Sequence, residues 1–193
     1  MSTERIHDSS LHMLVKDEID LLPRLLEYIN EWVDEIIIVD TGSTDGTLDL
    51  VRKYTPNVFQ MPLNRNFSAA RNFGLSKATK SWIFHLDADE RPTESLLLWL
   101  TRFVGRRAST LYDGVSIHRH NLVGGNPIGR ATHERHVRFF RNTAWYRFEG
   151  LVHEHINVPE ALVLDAPREL LIEHYKTVER QNMQNAFYET LKE

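Results

Sequence analysis

The chain has 193 residues, 41% apolar and 10% aromatic, which allows one domain with a proper core and argues against disorder over most of its length. A net charge of −4 gives no sign of a nucleic-acid surface, and the absence of cysteine excludes disulfides, thiolate metal sites and a cysteine nucleophile. The polar, acid-bearing stretch Met1–Ser10 lacks the form of a secretory signal and no apolar run reaches the length of a membrane span. A cytoplasmic protein is expected, with the basic pair Arg106-Arg107 as its one modest feature suited to peripheral contact with a membrane surface.

Leu11–Val15 reads as a first strand, followed by a helix that Asp20 could cap and whose first turn tolerates Pro23. Leu22, Leu25, Leu26, Ile29 and Val33 recur at helical spacing, so one face of that helix should pack on a sheet. Glu35–Asp40 is the most strand-like stretch of the chain and ends in an aspartate. The loop TGSTDGT follows, in which Gly42 and Gly46 allow sharp turns and Ser43, Thr44 and Asp45 suit a helix N-terminus. Leu48–Tyr54 should be helical, Val58–Met61 a strand, and Ala69–Lys77 a helix capped by Ser68 and carrying Arg71.

In Ser81–Glu90 the apolar residues Ile83, Phe84 and Leu86 predict a buried strand that stops at Asp87-Ala88-Asp89. Pro92 and Thr93 then start a helix with Leu96, Leu97, Leu100 and Phe103 on one face. Alternation of strand and helix up to this point predicts a parallel α/β sheet with right-handed crossovers. Beyond a polar boundary at Gly105–Ser109, strands are expected at Gly114–His120, Glu134–Phe140, Trp145–Phe148, Leu151–Val158 and Leu170–Tyr175, with a turn at Gly124–Pro127 and a last helix over Thr177–Leu191.

Asp40 with its loop, Arg71, and the Asp87/Asp89 pair each lie at or just after the C-terminal end of an expected strand, so in a parallel sheet they converge on one crevice. A nucleoside diphosphate fits that arrangement. Asp40 can accept a hydrogen bond from a base N–H beside the loop of Gly42, Ser43 and Asp45, Arg71 can meet the diphosphate, and Asp87 and Asp89 can hold ribose and a hard cation, Mg²⁺ or Mn²⁺.

The blocks IIIVDTGSTDGT, NFSAARNFGLSKAT and WIFHLDADE, in that order and spacing, resemble the signature blocks of family 2 glycosyltransferases with the GT-A fold. The first strand, continuing as MLVKDE, and the later YRFEGLVHEHI resemble a bacterial branch that includes lipopolysaccharide-core glucosyltransferases and bacteriocin-peptide S-glycosyltransferases. The resemblance covers roughly Leu11 to Tyr175. It implies a single GT-A domain over residues 1–193: a Rossmann-like, mostly parallel nucleotide-sugar half (about 11–104), a mixed or antiparallel acceptor-facing half (about 110–176) and a C-terminal helix (177–193).

The resemblance also implies an inverting, metal-dependent transfer of a hexose from a nucleotide sugar, UDP-linked by expectation, to a glycan, lipid-linked or peptide acceptor. It gives Asp40 the base, Asp87 the ribose, and Asp89 with His153 the Mn²⁺ or Mg²⁺. For the residue that takes the acceptor's proton the sequence offers Glu154 first and Glu90 second; Glu154 requires that residues 153–154 leave the regular strand, where neighbours point to opposite faces. Arg138, Phe139, Phe140 and Arg141 read either as the lining of an acceptor groove or as a half-buried edge strand.

Other classes fit less of the chain. A metal-dependent hydrolase would use the near pairs His118/His120, His133/His136 and His153/His155, and leaves TGSTDGT and the Asp87/Asp89 pair without a role. A phosphatase of the haloacid dehalogenase type needs an aspartate where Gly42 stands. The non-enzymatic alternative is a module that binds a nucleotide sugar without turnover.

Overall fold

The computed structural model describes residues 5–123, 126–127, 133–151, 153–177, 179 and 182. Gly124 and Gly125 of the expected turn, and nearly all of the expected C-terminal helix, lie outside the described residues. The first half comprises β1 (Ser9–Val15), α1 (Leu22–Ile29), β2 (Glu35–Asp40), α2 (Thr47–Val51), β3 (Val58–Gln60), α3 (Phe67–Leu75) and β4 (Trp82–His85). The second comprises β5 (Glu90–Pro92), α4 (Glu94–Val104), β6 (Gly114–Val123), β7 (Asn126–Pro127), β8 (His133–Arg141), β9 (Phe148–Glu149), β10 (His155–Ile156), β11 (Val163–Asp165) and β12 (Leu171–Lys176).

Strands β3, β2, β1 and β4 pair in parallel in that order, as the alternating pattern predicts. The chain builds outward from β1 to β3 and then jumps back across β1 to lay down β4. The strand order therefore reverses between β1 and β4, and the crevice beyond their C-terminal ends is where an open α/β sheet binds ligands. The sheet continues through β8, antiparallel to β4, then β6, β12 and β5, with β7 and β11 also paired to β6, giving the mixed second half.

Each face of the sheet has its own core. Leu11, Met13, Ile36, Ile38, Trp82 and Phe84 pack beneath α1 and α4 with Phe139, while Ile83, Phe140, Phe148 and Ile156 pack with Leu75 of α3. The two halves are joined where Ile83 and Phe84 pair with Phe140 and Phe139, and the Trp82 ring stacks on Phe139 at 4.9 Å. Helix α1 has only 8 residues, too few to persist alone in water. Its buried Leu22, Leu25, Leu26 and Ile29, each worth roughly 1.5–3 kcal/mol, hold it on the sheet.

Three local expectations change. α1 begins at Leu22 behind Leu21, with no side chain capping it, so Asp20 is not the cap. α3 starts earlier than the Ser68 cap predicted: Asn66 caps it by accepting from Ala69 N at 2.9 Å, and Ser68 instead donates to the Gly150 carbonyl. The strands expected over Trp145–Phe148 and Leu151–Val158 shrink to the two-residue ladder β9/β10, because Gly150 (φ 99°) and His153 (φ 57°) take the backbone out of the extended region.

One irregularity matters for function. In the β6/β8 ladder Val115 faces Phe139 and the next residue, Ser116, faces Val137, so Arg138 is the extra residue of a β-bulge. Val137 consequently packs in the same cluster as Phe140, three positions away, which unbroken alternation would forbid.

Candidate active site

Asp40, at the tip of β2, is fully buried, and its carboxylate accepts from Gly42 N at 3.1 Å and Ser43 N at 2.9 Å, turning its own loop. Gly42 (φ 110°) and Gly46 (φ 96°) supply the left-handed backbone that the turn needs. The loop is laced to the one after β1. Ser43 Oγ accepts from Asp17 N, Asp17 accepts from Thr44 N at 2.7 Å, and Asp45 accepts from Ile19 N and Thr47 N. Asp40, Gly42, Ser43 and Asp45 thus share a first task, to fix one wall of the crevice. A carboxylate has about four lone-pair sites, so Asp40 retains capacity to accept a further bond.

Arg71, on α3, is the hub of a second cluster. Its Nε donates to Glu154, its Nη1 lies 2.7 Å from His85 Nε2, and its Nη2 donates to Asp87 Oδ1 at 3.1 Å. Asp87 Oδ2 accepts in turn from Arg138 Nη2 at 3.2 Å. Burial alone would raise the Asp87 pKa, but Arg71 and Arg138 outweigh it and hold the carboxyl well below its usual range. Asp87 is an anion braced between two guanidinium groups.

Glu90 is completely buried. Its Oε1 accepts from Arg138 and, at 3.5 Å, from Arg119, and its Oε2 accepts from Asp87 N at 3.0 Å. Burial pushes its pKa up, with Arg138 opposing. Oε2 therefore staples the Asp87–Glu90 turn, and Oε1 ties it to Arg138 and Arg119. The bulge aims Arg138 into this cluster rather than into an acceptor groove.

Asp89 meets a histidine that the sequence reading passed over. β5 pairs antiparallel with β12, placing Glu90 opposite His174, and His174 Nε2 comes within 3.2 Å of Asp89 Oδ2. The other ring nitrogen of this buried histidine is held by Asn121 Oδ1 at 2.7 Å. An Asn oxygen only accepts, so Nδ1 carries a proton, and a cation bound between Nε2 and Asp89 would take the lone pair of Nε2. Two atoms about 3 Å apart suit adjacent ligands on an octahedral ion with bonds of about 2.1 Å. The donor set therefore fits Mn²⁺ or Mg²⁺. Among the described residues no group of three or more His, Asp or Glu side chains closes around a metal. A cation held by these two residues would take its remaining ligands from phosphate oxygens and water, the usual manner of a magnesium site.

His153 is exposed, in the irregular segment after Gly150, while its neighbour Glu154 turns inward to Arg71. The positive φ of His153 supplies the departure from strand geometry that a role for Glu154 requires. His118 and His120 stand on one face of β6, and His136 is beside Glu134 of its own strand.

Residues 10–157 match the profile of Glycosyl transferase family 2. The chain belongs to this family. Among curated relatives it is 36% identical over 145 residues to a TPR repeat-containing protein of Synechococcus elongatus, covering 75% of this chain and 34% of that protein. It is 33% identical over 167 residues to the lipopolysaccharide core biosynthesis glycosyltransferase LpsC of Rhizobium meliloti, covering 82% of this chain and 60% of LpsC. This glycosyltransferase chain thus spans between a third and three fifths of these relatives' lengths. Among solved structures it resembles S. aureus TarS residues 1–349 in complex with UDP-GlcNAc, with TM-score 0.64 at 15% identity over 87% of this chain and 58% of that one. The likeness is one of fold and agrees with the expected GT-A architecture. No helix among the described residues of the glycosyltransferase is long and apolar enough to cross a membrane.

Proposed function

We propose that this family 2 domain transfers a hexose from a UDP-sugar to a glycan, lipid-linked or peptide acceptor with inversion at the anomeric carbon, and that it works in the cytoplasm. The observation that carries the reading is the convergence, at the reversal point of strand order, of Asp87 braced by Arg71 and Arg138 with Asp89 set against His174. UDP is the first nucleotide to test because TarS, of like fold, is known with UDP-GlcNAc.

In this reading the nucleoside lies along the Asp40 loop, Asp87 orients the ribose, and Arg71 faces the diphosphate. Asp89 and His174 hold the divalent cation, His174 taking the place expected of His153. When bound, that cation supplies charge neutralisation to the departing diphosphate. The acceptor heteroatom bonds to the anomeric carbon from the side opposite the diphosphate, whose bond to that carbon breaks, and the acceptor's proton passes to Glu154. Glu154 is favoured over Glu90 because both oxygens of the fully buried Glu90 are engaged, Oε1 by Arg138 and Oε2 by Asp87 N.

Incubation with UDP-glucose, UDP-GlcNAc and other UDP-hexoses plus Mn²⁺ tests the proposal. Slow, metal-dependent release of free sugar is expected. Tight UDP binding without release for any donor would instead support a nucleotide-sugar-binding module.

A further inference from the structure

Two histidines that take no part in the reaction just described face each other inside the sheet. His12 of β1 and His85 of β4 are cross-strand partners, both buried, with their Nδ1 atoms 3.1 Å apart. His85 also reaches the site, since its Nε2 lies 2.7 Å from Arg71 Nη1. A guanidinium can only donate, so His85 Nε2 must carry a lone pair and its proton must sit on Nδ1. That nitrogen has its acceptor in place: the His12 carbonyl, 3.1 Å away.

We propose that His85 is a positioning residue that, as the neutral Nδ1-protonated tautomer, fixes the Arg71 guanidinium so that Nε meets Glu154 and Nη2 meets Asp87. Each of the three guanidinium nitrogens then has its own partner: His85 and Asp87 at the end of β4, and Glu154 from a distant part of the chain. Three anchors fix both the plane and the rotation of the group. With two carboxylates alone, one of them 31% exposed, the group could pivot.

The tautomer leaves a trace further in. Because His85 Nδ1 brings the proton, His12 Nδ1 must accept and His12 must be protonated on Nε2. That atom is buried against Gly74, where an added Cβ would stand 2.3 Å away. Burial, followed by Arg71 and Arg138, keeps the His85 pKa well below the usual histidine range, in keeping with a neutral ring.

The catalytic consequence rests on the transfer reading; the tautomer does not. Two-bond ¹H–¹⁵N spectra of the labelled protein, assigned with His85→Gln, should show His85 protonated on Nδ1 and unchanged between pH 8 and pH 6. A proton on Nε2, or an imidazolium, overturns the proposal whatever the reaction. In Mn²⁺-dependent hydrolysis of the best UDP-hexose, His85→Phe should lower kcat/KM on the order of 10- to 100-fold. His85→Gln, which restores an acceptor, should recover most of that loss. Wild-type rates in folded His85→Phe, or no recovery in folded His85→Gln, would overturn it. If no donor is turned over, the transfer reading fails separately, and the Arg71 Nε–H signal decides. It should be sharp and slowly exchanging in wild type and His85→Gln, and lost in His85→Phe; equal signals in all three contradict the proposal. Should His85→Phe not fold, the tautomer spectrum and the Arg71 signal of His85→Gln carry the decision.

Discussion

Arg138 Nη2 lies 3.2 Å from Asp87 Oδ2 across 51 residues of sequence, and the same nitrogen donates to Glu90. The arginine that the sequence offered either to an acceptor groove or to a half-buried edge strand instead braces Asp87 and Glu90. Arg138→Ala should therefore weaken UDP binding and leave the buried Glu90 with only the longer contact to Arg119, at 3.5 Å. Breaking a buried pair from one side destabilises by about 3–5 kcal/mol. Urea unfolding together with UDP titration checks both. Unchanged UDP affinity in a folded variant would return Arg138 to the acceptor side.

Asp89→Ala should abolish metal-dependent turnover while leaving the fold intact. His174→Ala should weaken Mn²⁺ affinity, and His153→Ala should leave it nearly unchanged. Mn²⁺ titration of hydrolysis in the three variants separates the two histidines. The opposite ranking of His174 and His153 would restore the pairing expected from sequence.

Burial, and then the charge of Arg71, lowers the His12 pKa from 6.5 to about 3, and His85 is lowered in the same sense. Between those values the unfolded chain binds protons that the native state does not. Stability therefore rises with pH across the window and is lost as pH falls from about 6.5 toward 3, by up to about 1.4 kcal/mol per pH unit for each histidine. Asp87, also depressed, adds a loss at lower pH, below the ordinary carboxylate value. Glu90, raised by burial, acts in the opposite sense. Comparison with His12→Asn leaves the two carboxyl contributions in common, so the variant should show a shallower fall in Tm between pH 6.5 and pH 5 than wild type. Parallel curves would contradict a neutral, buried His12.

Gly74→Ala places a Cβ 2.3 Å from His12 Nε2 and 2.8 Å from Val39 Cγ2. Ala is favoured over Gly in a helix by about 1 kcal/mol, but overpacking a closed core costs about 1–3 kcal/mol, so a net loss is expected. Denaturant midpoints should show it, and a smaller residue in Gly74→Ala/His12→Ser should relieve part of it. A stabilised Gly74→Ala would mean that the His12 ring is free to move.

The alternating half was legible because its signals are local. The apolar run Leu11–Val15, the Glu35–Asp40 strand and the stripe Leu22, Leu25, Leu26, Ile29 need only their own periodicity, and apart from the half-buried Leu14 and Glu35 all are buried as expected. Asp87 and Asp89 announce themselves by position at a strand's end. What stayed hidden depends on pairing between distant strands. His174 reaches Asp89 only because β12 pairs with β5, and Arg138 turns inward only because one residue bulges from β8. His85 stood in plain view inside an apolar run, a polar residue where a buried strand wants none, and that mismatch was the signal to follow.

The central claim is that the Asp87-Ala88-Asp89 turn binds a nucleotide sugar through a divalent cation. A thermal-shift panel of UDP-sugars with and without Mn²⁺, run on wild type and Asp89→Ala, tests it most directly. Ligand at about 100 times Kd adds about 2.7 kcal/mol to native stability. The account predicts a rise in Tm for one UDP-hexose that requires Mn²⁺ and vanishes in Asp89→Ala. A rise indifferent to Mn²⁺ and retained by the variant, or no rise with any UDP-sugar, would contradict it.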